Sequence, residues 1–179
     1  GMSYLQAGLV CQAFGRWNHA VALSWVAHDN LCLDNIYRNG SDYILEKFVP
    51  GLCSGDLVGA LGLTEPGAGS DAASLKTEAQ RQGNDHYVLN GTKAFISGGS
   101  TSDIYAVMCR TGKDGANGIS CILVEAGTPG LSFGKKEKKM GWNSQHTAMV
   151  HFDECRVPIE NLVGQEGDGF KIAMAGLDG

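Results

Sequence analysis

The sequence predicts an α+β chain: a stack of helices, then an antiparallel β-barrel or sandwich, then the opening of another helical part. Three observations carry that prediction. Apolar residues recur at three- and four-residue spacing through the first third. From about Gly55 short β-rich runs alternate with Gly, Asn and Asp, and past Pro158 the helical spacing returns. The 179 residues therefore divide into helices at 1–55, a β-domain at 56–165 and the start of a helical domain at 166–179.

Taken in order, Leu5, Leu9, Ala13, Trp17, Ala20 and Val21 form an apolar stripe, with Gln6, Gln12, Arg16 and Asn18 between them. Trp17 and Trp25 fit it as packing residues. Leu31, Leu33 and Ile36 make a shorter stripe that stops at Asn39-Gly40, a pair suited to a helix C-terminus. Ser41 is placed to cap a helix carrying Tyr43, Ile44, Lys47 and Phe48, ending near Pro50-Gly51. In the β-domain, two β-rich runs flank Asn90-Gly91, which suits a two-residue type I′ turn. Residues 104–109, 119–125, 131–134 and 148–152 are further strands, at a spacing typical of barrels and sandwiches. Residues 169–177 read as the last helix.

Composition excludes several classes. Glycine supplies 26 of 179 residues, about twice the usual ~7%, but without a G-X-Y period and with only 4 prolines. A net charge of -5 removes the attraction that non-specific nucleic-acid binding needs, and argues against a polybasic membrane anchor. No apolar run approaches the ~20 residues of a spanning helix. The 6 cysteines contain no C-x-x-C pair and mostly sit in apolar stretches, which predicts buried free thiols and a reducing compartment. His28, His146 and His151 lack metal-ligand spacing and read as structural, and no metal is expected.

Residues 67–72 fit the dinucleotide fingerprint G-x-G-x-x-A, but a β-rich segment follows where that motif needs a helix. Position 90 is Asn where it needs an acid. A Rossmann site is excluded on that ground. Leu61, Gly62, Leu63, Thr64, Glu65, Pro66, Gly67, Ala68, Gly69, Ser70 and Asp71 instead describe a strand entering a glycine-rich loop. Such a loop is either a tight capped turn or a surface whose amides and hydroxyls meet a phosphate or a polar ring edge. Glu65 reads as structural. The run Lys135-Lys136-Glu137-Lys138-Lys139 reads as a solvated strand end, with a CoA-phosphate or subunit contact as the alternative.

These residues carry a resemblance. LTEPGAGSD at 63–71, NGTKAFISGG at 90–99, GISCILVEAGTPG at 118–130, GWNSQHTAMVHFDECRVPIENLVG at 141–164 and EGDGFKIAMAGLDG at 166–179 resemble the acyl-CoA dehydrogenase family, in family order. The resemblance implies the end of an N-terminal helical domain, a whole middle β-domain and the opening of a C-terminal helical domain. It implies FAD held by two stretches, Leu61 to Ser70 and Phe95-Ile96-Ser97. Groups near Leu63 and Thr64 would bond the pyrimidine side of the flavin, and Ser97 would lie near its reactive nitrogen. Many relatives carry an aromatic residue where this chain has Leu61 and Trp where it has Phe95, and both changes keep an apolar surface. Ser70 would lie between FAD phosphate and acyl-CoA, and Asp178 and Gly179 would begin a substrate-contacting segment. Trp142 belongs either to the core or to the acyl pocket.

The reaction implied is α,β-dehydrogenation of a short or branched-chain acyl-CoA to the 2-enoyl-CoA, with a glutamate base expected beyond Gly179. Neither Glu65 nor Glu125 is assigned that role, and residues 1–179 alone are expected to be inactive. The partners implied are electron-transfer flavoprotein and further copies of the chain, as a tetramer. The compartment implied is the mitochondrial matrix in a eukaryote or the cytoplasm in a bacterium. FGKKEKK and GWNSQ look like the isobutyryl-CoA branch, and HDNLCLDNIYRNG like the isovaleryl-CoA branch. A non-catalytic flavin- or acyl-CoA-binding module and an acyl-CoA oxidase stay open as alternatives.

Overall fold

The computed structural model describes residues 2–178. Four helices open the chain: α1 (Tyr4–Trp17), α2 (His19–His28), α3 (Asp34–Asn39) and α4 (Asp42–Ser54). Ser3 and Gln6 form a capping box on α1. The apolar stripe does not run through as one helix. Asn18 is extended, with φ -154° and ψ 106°, and its Oδ1 accepts from Ala20 N at 2.9 Å, so the helix stops and restarts there. Trp17 points to solvent at 92% exposure, whereas Trp25 packs on Phe14 with ring centroids 6.1 Å apart.

A single π turn, Asp29–Leu33, joins α2 to α3 and buries Cys32 against the first strand. Asn39-Gly40 and Ser41 behave as expected: Gly40 N donates to Ile36 O, and the Ser41 hydroxyl caps α4. Pro50 does not end that helix, which continues to a left-handed Gly55 at φ 83°. Ile44, Phe48 and Leu52 lie at i, i+4 and i+8 and are all buried, so packing carries the helix past a residue that weakens it locally.

The strands β1 (Gly59–Gly62), β2 (Glu78–Gln82), β3 (His86–Ser97), β4 (Ile104–Arg110), β5 (Ile119–Glu125), β6 (Leu131–Phe133), β7 (Thr147–Pro158) and β8 (Leu162–Val163) form one sheet. Their order is β6-β7-β3-β2-β4-β5-β8, with β1 beside β4. Pairing is mostly antiparallel. β1 runs parallel to β4, from Gly59 opposite Ile104 to Gly62 opposite Val107, because the loop and hairpin between them form a long crossover. Tyr105 of β4 meets Phe133 of β6 at 5.5 Å between ring centroids, so the sheet rolls until distant strands share one interior.

Both faces of β4 and β5 are buried, which is why they read as continuous apolar runs. Ile104, Ala106, Met108, Cys121 and Leu123 pack against α3, α4 and the last helix, α5 (Gly169–Asp178). Tyr105, Val107, Ile122 and Val124 face the rolled interior with Leu89, Val150 and Phe152. Residues Gly169 and Gly176 bring α5 within backbone distance of Ser120 and the Asn35 side chain.

Asn90-Gly91 is not a turn. Both residues lie inside β3, a 12-residue strand, and the hairpin falls at residues 83–85, with Gln82 opposite His86 and Gly83 at φ 66°. Instead Asn90 replaces a missing rung at a bulge against β7. Its Oδ1 accepts from Glu154 N at 2.9 Å, and its Nδ2 donates to Glu154 Oε1 at 2.8 Å. Gly91 is required there for space, since a Cβ would meet the Thr77 Cα at 2.7 Å.

His28 joins helix to sheet as a structural residue. Its Nε2 lies 3.0 Å from Leu52 O and its Nδ1 accepts from Gly59 N at 2.9 Å, which fixes the neutral tautomer with hydrogen on Nε2. All 6 cysteines are unpaired; four are buried, Cys11 is half-buried and Cys53 is exposed. No helix among the described residues is long and apolar enough to cross a membrane.

Candidate functional site

The two stretches implicated above are about thirty positions apart in sequence, and the fold sets them side by side. β1 delivers Leu61 and Gly62 into the loop, which then runs along β3. Ala94 N donates to Thr64 O at 2.8 Å, and the ammonium of Lys93 donates to Leu63 O at 3.1 Å. Past Ala94 the strand bulges against β7, and Phe95 takes a left-handed backbone at φ 56°. That conformation is costly for a bulky residue, and Phe95 is left 66% exposed. Its ring faces outward between the buried Ala94 and Ile96, with Ser97 two residues on. An exposed ring on a strained backbone is an arrangement suited to stacking on a planar ligand.

The loop itself is built on Glu65. Its backbone exchanges hydrogen bonds with Ala68, at 3.0 and 3.2 Å, closing a small turn around Pro66 and Gly67. The carboxylate is buried and accepts from Lys76 N at 2.7 Å, Thr77 N at 2.9 Å and Lys93 Nζ at 2.7 Å. Burial pushes this carboxyl up, but the charge and hydrogen bond of Lys93 and the amide of Lys76 outweigh it and hold it below the ordinary glutamate value. Burial in turn pulls Lys93 below the ordinary lysine value, against the opposing pull of Glu65. Glu65 is structural, as its place in the loop suggested.

What remains unengaged is informative. Among the described residues, the amides of Thr64, Gly67, Gly69 and Ser70 have no hydrogen-bond acceptor, and neither do the hydroxyls of Thr64, Ser70 and Ser97. A Cβ at Gly67 or Gly69 would meet nothing within 4 Å, so the loop is open on its outer side. These groups fit a polar, partly anionic ligand with a planar ring. Two cavities flank the loop. One, of about 370 Å³, is lined by Glu65, Pro66, Gly67, Thr77 and Thr92; the other, of about 490 Å³, by Asp71, Ser74, Lys76 and Arg110. Neither reaches Phe95 or Ser97, which lie on an open face.

Arg110 gave no signal in the sequence, yet it fixes the segment after the loop. Its five N–H groups all donate to main-chain oxygens: Ala73, Leu75 twice, Lys113 and Gly115, at 2.8–3.1 Å. A lone arginine at a strand end reveals nothing of this until the two loops are seen to converge on it. Of the remaining sites, Asp178 ends α5 exposed and Gly179 lies outside the described residues. Trp142 is 54% exposed with φ 53°, surface rather than core, on a loop where Ser144 meets Asn18 at 3.4 Å. The lysine run is not simply solvated. Lys139 donates to Gln145 and Thr147, and Lys136 to Asn143 O, so two of its members hold that loop.

The sequence matches the family description "Acyl-CoA dehydrogenase, middle domain" over residues 60–155 and "Acyl-CoA dehydrogenase, N-terminal domain" over residues 1–56. It is 53% identical to mitochondrial isobutyryl-CoA dehydrogenase of Bos taurus, across 100% of this chain and 42% of that protein. Against mitochondrial isovaleryl-CoA dehydrogenase of Pongo abelii the figures are 41%, 99% and 43%. The structure of butyryl-CoA dehydrogenase from Megasphaera elsdenii superposes with a TM-score of 0.93 and 42% identity, covering 95% of this chain and 45% of that one. The chain thus spans less than half the length of these relatives. With helices, rolled sheet and closing helix all matched in order, the chain belongs to the acyl-CoA dehydrogenase family.

Proposed function

We propose that the protein containing this chain is an FAD-dependent acyl-CoA dehydrogenase acting on a short or branched-chain acyl-CoA. One observation supports it most: the loop at Leu61 to Ser70 and the bulge at Phe95 to Ser97 lie side by side with amides and hydroxyls unengaged. In this reading the flavin, when bound, accepts the hydride from the substrate β carbon. Thr64 and Ser97 offer hydroxyls to the polar edges of the ring, and Phe95 offers it an apolar face. The amides of Gly67, Gly69 and Ser70 receive phosphate oxygens, with no Cβ in the way at either glycine. Hydrogen-bond donors aimed where negative charge develops lower the barrier.

The proton α to the thioester needs a base, and Glu65 and Glu125 are both engaged. Glu65 is closed against Lys93, and Glu125 pairs with Lys47 Nζ at 2.8 Å beside α4. The proposal therefore places the base in the remaining length of the protein. It also takes electron-transfer flavoprotein as the acceptor and a homo-oligomer, as a tetramer, as the assembly. The reading assigns residues 1–55, 56–165 and 166–179 to three successive domains.

Thr64→Ala and Ser97→Ala each remove one hydroxyl, worth roughly 0.5–1.5 kcal/mol of net interaction. Each variant of the full-length protein should retain less FAD on gel filtration, or show a displaced flavin band, with unchanged circular dichroism. Wild-type flavin content, spectrum and turnover in both would mean that the ring lies elsewhere. Rapid reaction of the reduced flavin with oxygen would point to an oxidase instead.

A further inference from the structure

Among the described residues, the interior of the sheet holds one fully buried cation. Lys93 is 0% exposed, its stem passing over Gly62, where a Cβ would touch Lys93 Cγ at 3.6 Å. A buried ion pair is a poor way to gain stability: a well-packed apolar pair of similar volume is often as stable or more so. Its use here is read from what it connects.

The acceptors of Lys93 are Leu63 O and Glu65 Oε1, the groups either side of Thr64 in sequence. Its own strand carries Phe95 two residues on and Ser97 four residues on, across the bulge. The adjoining Ala94 N bonds Thr64 O. Through Glu65 the contact extends to the Lys76 and Thr77 amides, and so to the start of β2, and to the turn that presents Gly67 and Gly69. The ammonium thereby joins the Ala94–Thr64 bond in tying the loop that would meet the pyrimidine edge to the bulge that would meet the ring face.

We propose that Lys93, acting through Glu65, is a positioning residue of the flavin site, setting the separation of Thr64 from Phe95 and Ser97. The proposal rests on the reading of these two stretches as the flavin-binding ones. Lys93 does not touch the ring. A methionine in its place would fill similar volume but draw in neither the Leu63 carbonyl nor the Glu65 carboxylate, and the loop would be free to move relative to the bulge.

The test uses the full-length protein as wild type, Lys93→Met, and the double variant Lys93→Met with Glu65→Met. The double variant removes both charges together, so it avoids a buried unpaired carboxylate if the single variant fails to fold. Apoprotein is titrated with FAD, and the bound flavin's visible spectrum and reduction potential are recorded beside circular dichroism. Wild type should bind FAD; if it does not, the reading of the two stretches fails, whatever the variants do. Where wild type binds, a folded variant should bind FAD on the order of 10–100-fold more weakly, by analogy with the loss when a residue that orients a metal ligand is removed. Its spectrum should shift toward that of free flavin, and the double variant should lose no more than the single one. A folded variant with wild-type affinity, spectrum and potential would overturn the proposal.

Discussion

Glu65→Ala should lower the unfolding free energy by about 3–5 kcal/mol, the cost of leaving a buried partner charge uncompensated. Glu65 and Lys93 side chains are 7% and 0% exposed, and the lost carboxylate would also strand the Lys76 and Thr77 amides. Separation alone does not decide the outcome. Arg38 and Asp34 approach to 2.6 Å, but their side chains are 57% and 36% exposed, and water replaces what either would lose. Asp34→Ala should therefore cost at most about 1 kcal/mol. The pH dependence follows the same contact. Because the folded-state pKa of Glu65 lies below its unfolded value, its contribution is present above the unfolded pKa and disappears as pH falls through the folded one. Glu65→Gln should lack that part of the acid dependence. Urea unfolding of wild type, Glu65→Ala, Glu65→Gln and Asp34→Ala side by side reads all of this. Equal midpoints for Glu65→Ala and Asp34→Ala would contradict it.

Gly130→Ala should cost about 2–4 kcal/mol, from a left-handed backbone and a backbone overlap together. Gly130 has φ 88°, and a Cβ there would run into Asp153 O and approach the Cys155 Cα at 2.9 Å. Neither obstacle is a flexible side-chain end. Gly130 O also accepts from Asp153 N at 2.9 Å, where β7 bulges at Glu154. Moving that corner shifts β6, and with it Phe133 against Tyr105, the contact that closes the rolled interior. Gly127→Ala is the comparison, since a Cβ there would meet nothing within 4 Å. Its thermal midpoint should match wild type while that of Gly130→Ala falls clearly; equal midpoints would show that the corner yields without strain.

What the sequence made legible was decided by short-range physics. Ser41, Asn39-Gly40 and the apolar run of β5 act through their own backbone or their own period, and each behaves as expected. The failures are tertiary. Asn90-Gly91 has the chemistry of a tight turn, but β7 offered Asn90 a partner in Glu154, and Thr77 left room only for glycine. Pro50 should end a helix, but the buried row of Ile44, Phe48 and Leu52 runs past it. The first stripe contains its own break in Asn18, a good N-cap that in sequence looks like one polar position among several.

At the candidate site the loop and the Phe-Ile-Ser stretch were legible as separate motifs. Their adjacency was not, because the contacts that join them run from Ala94 N and from Lys93, which reads in sequence as one more polar residue of a β-rich run. The same limit hid Arg110, whose partners are main-chain oxygens that no pattern of residue types reveals.

The most direct measurement is anaerobic titration of the purified full-length protein with straight and branched short-chain acyl-CoAs, following the visible absorbance of its flavin. The account predicts bound FAD that bleaches with at least one short or branched acyl-CoA, and bleaches less completely in Thr64→Ala and Ser97→Ala. A protein that carries no flavin and takes none up, or a bound flavin that no acyl-CoA reduces, would contradict it.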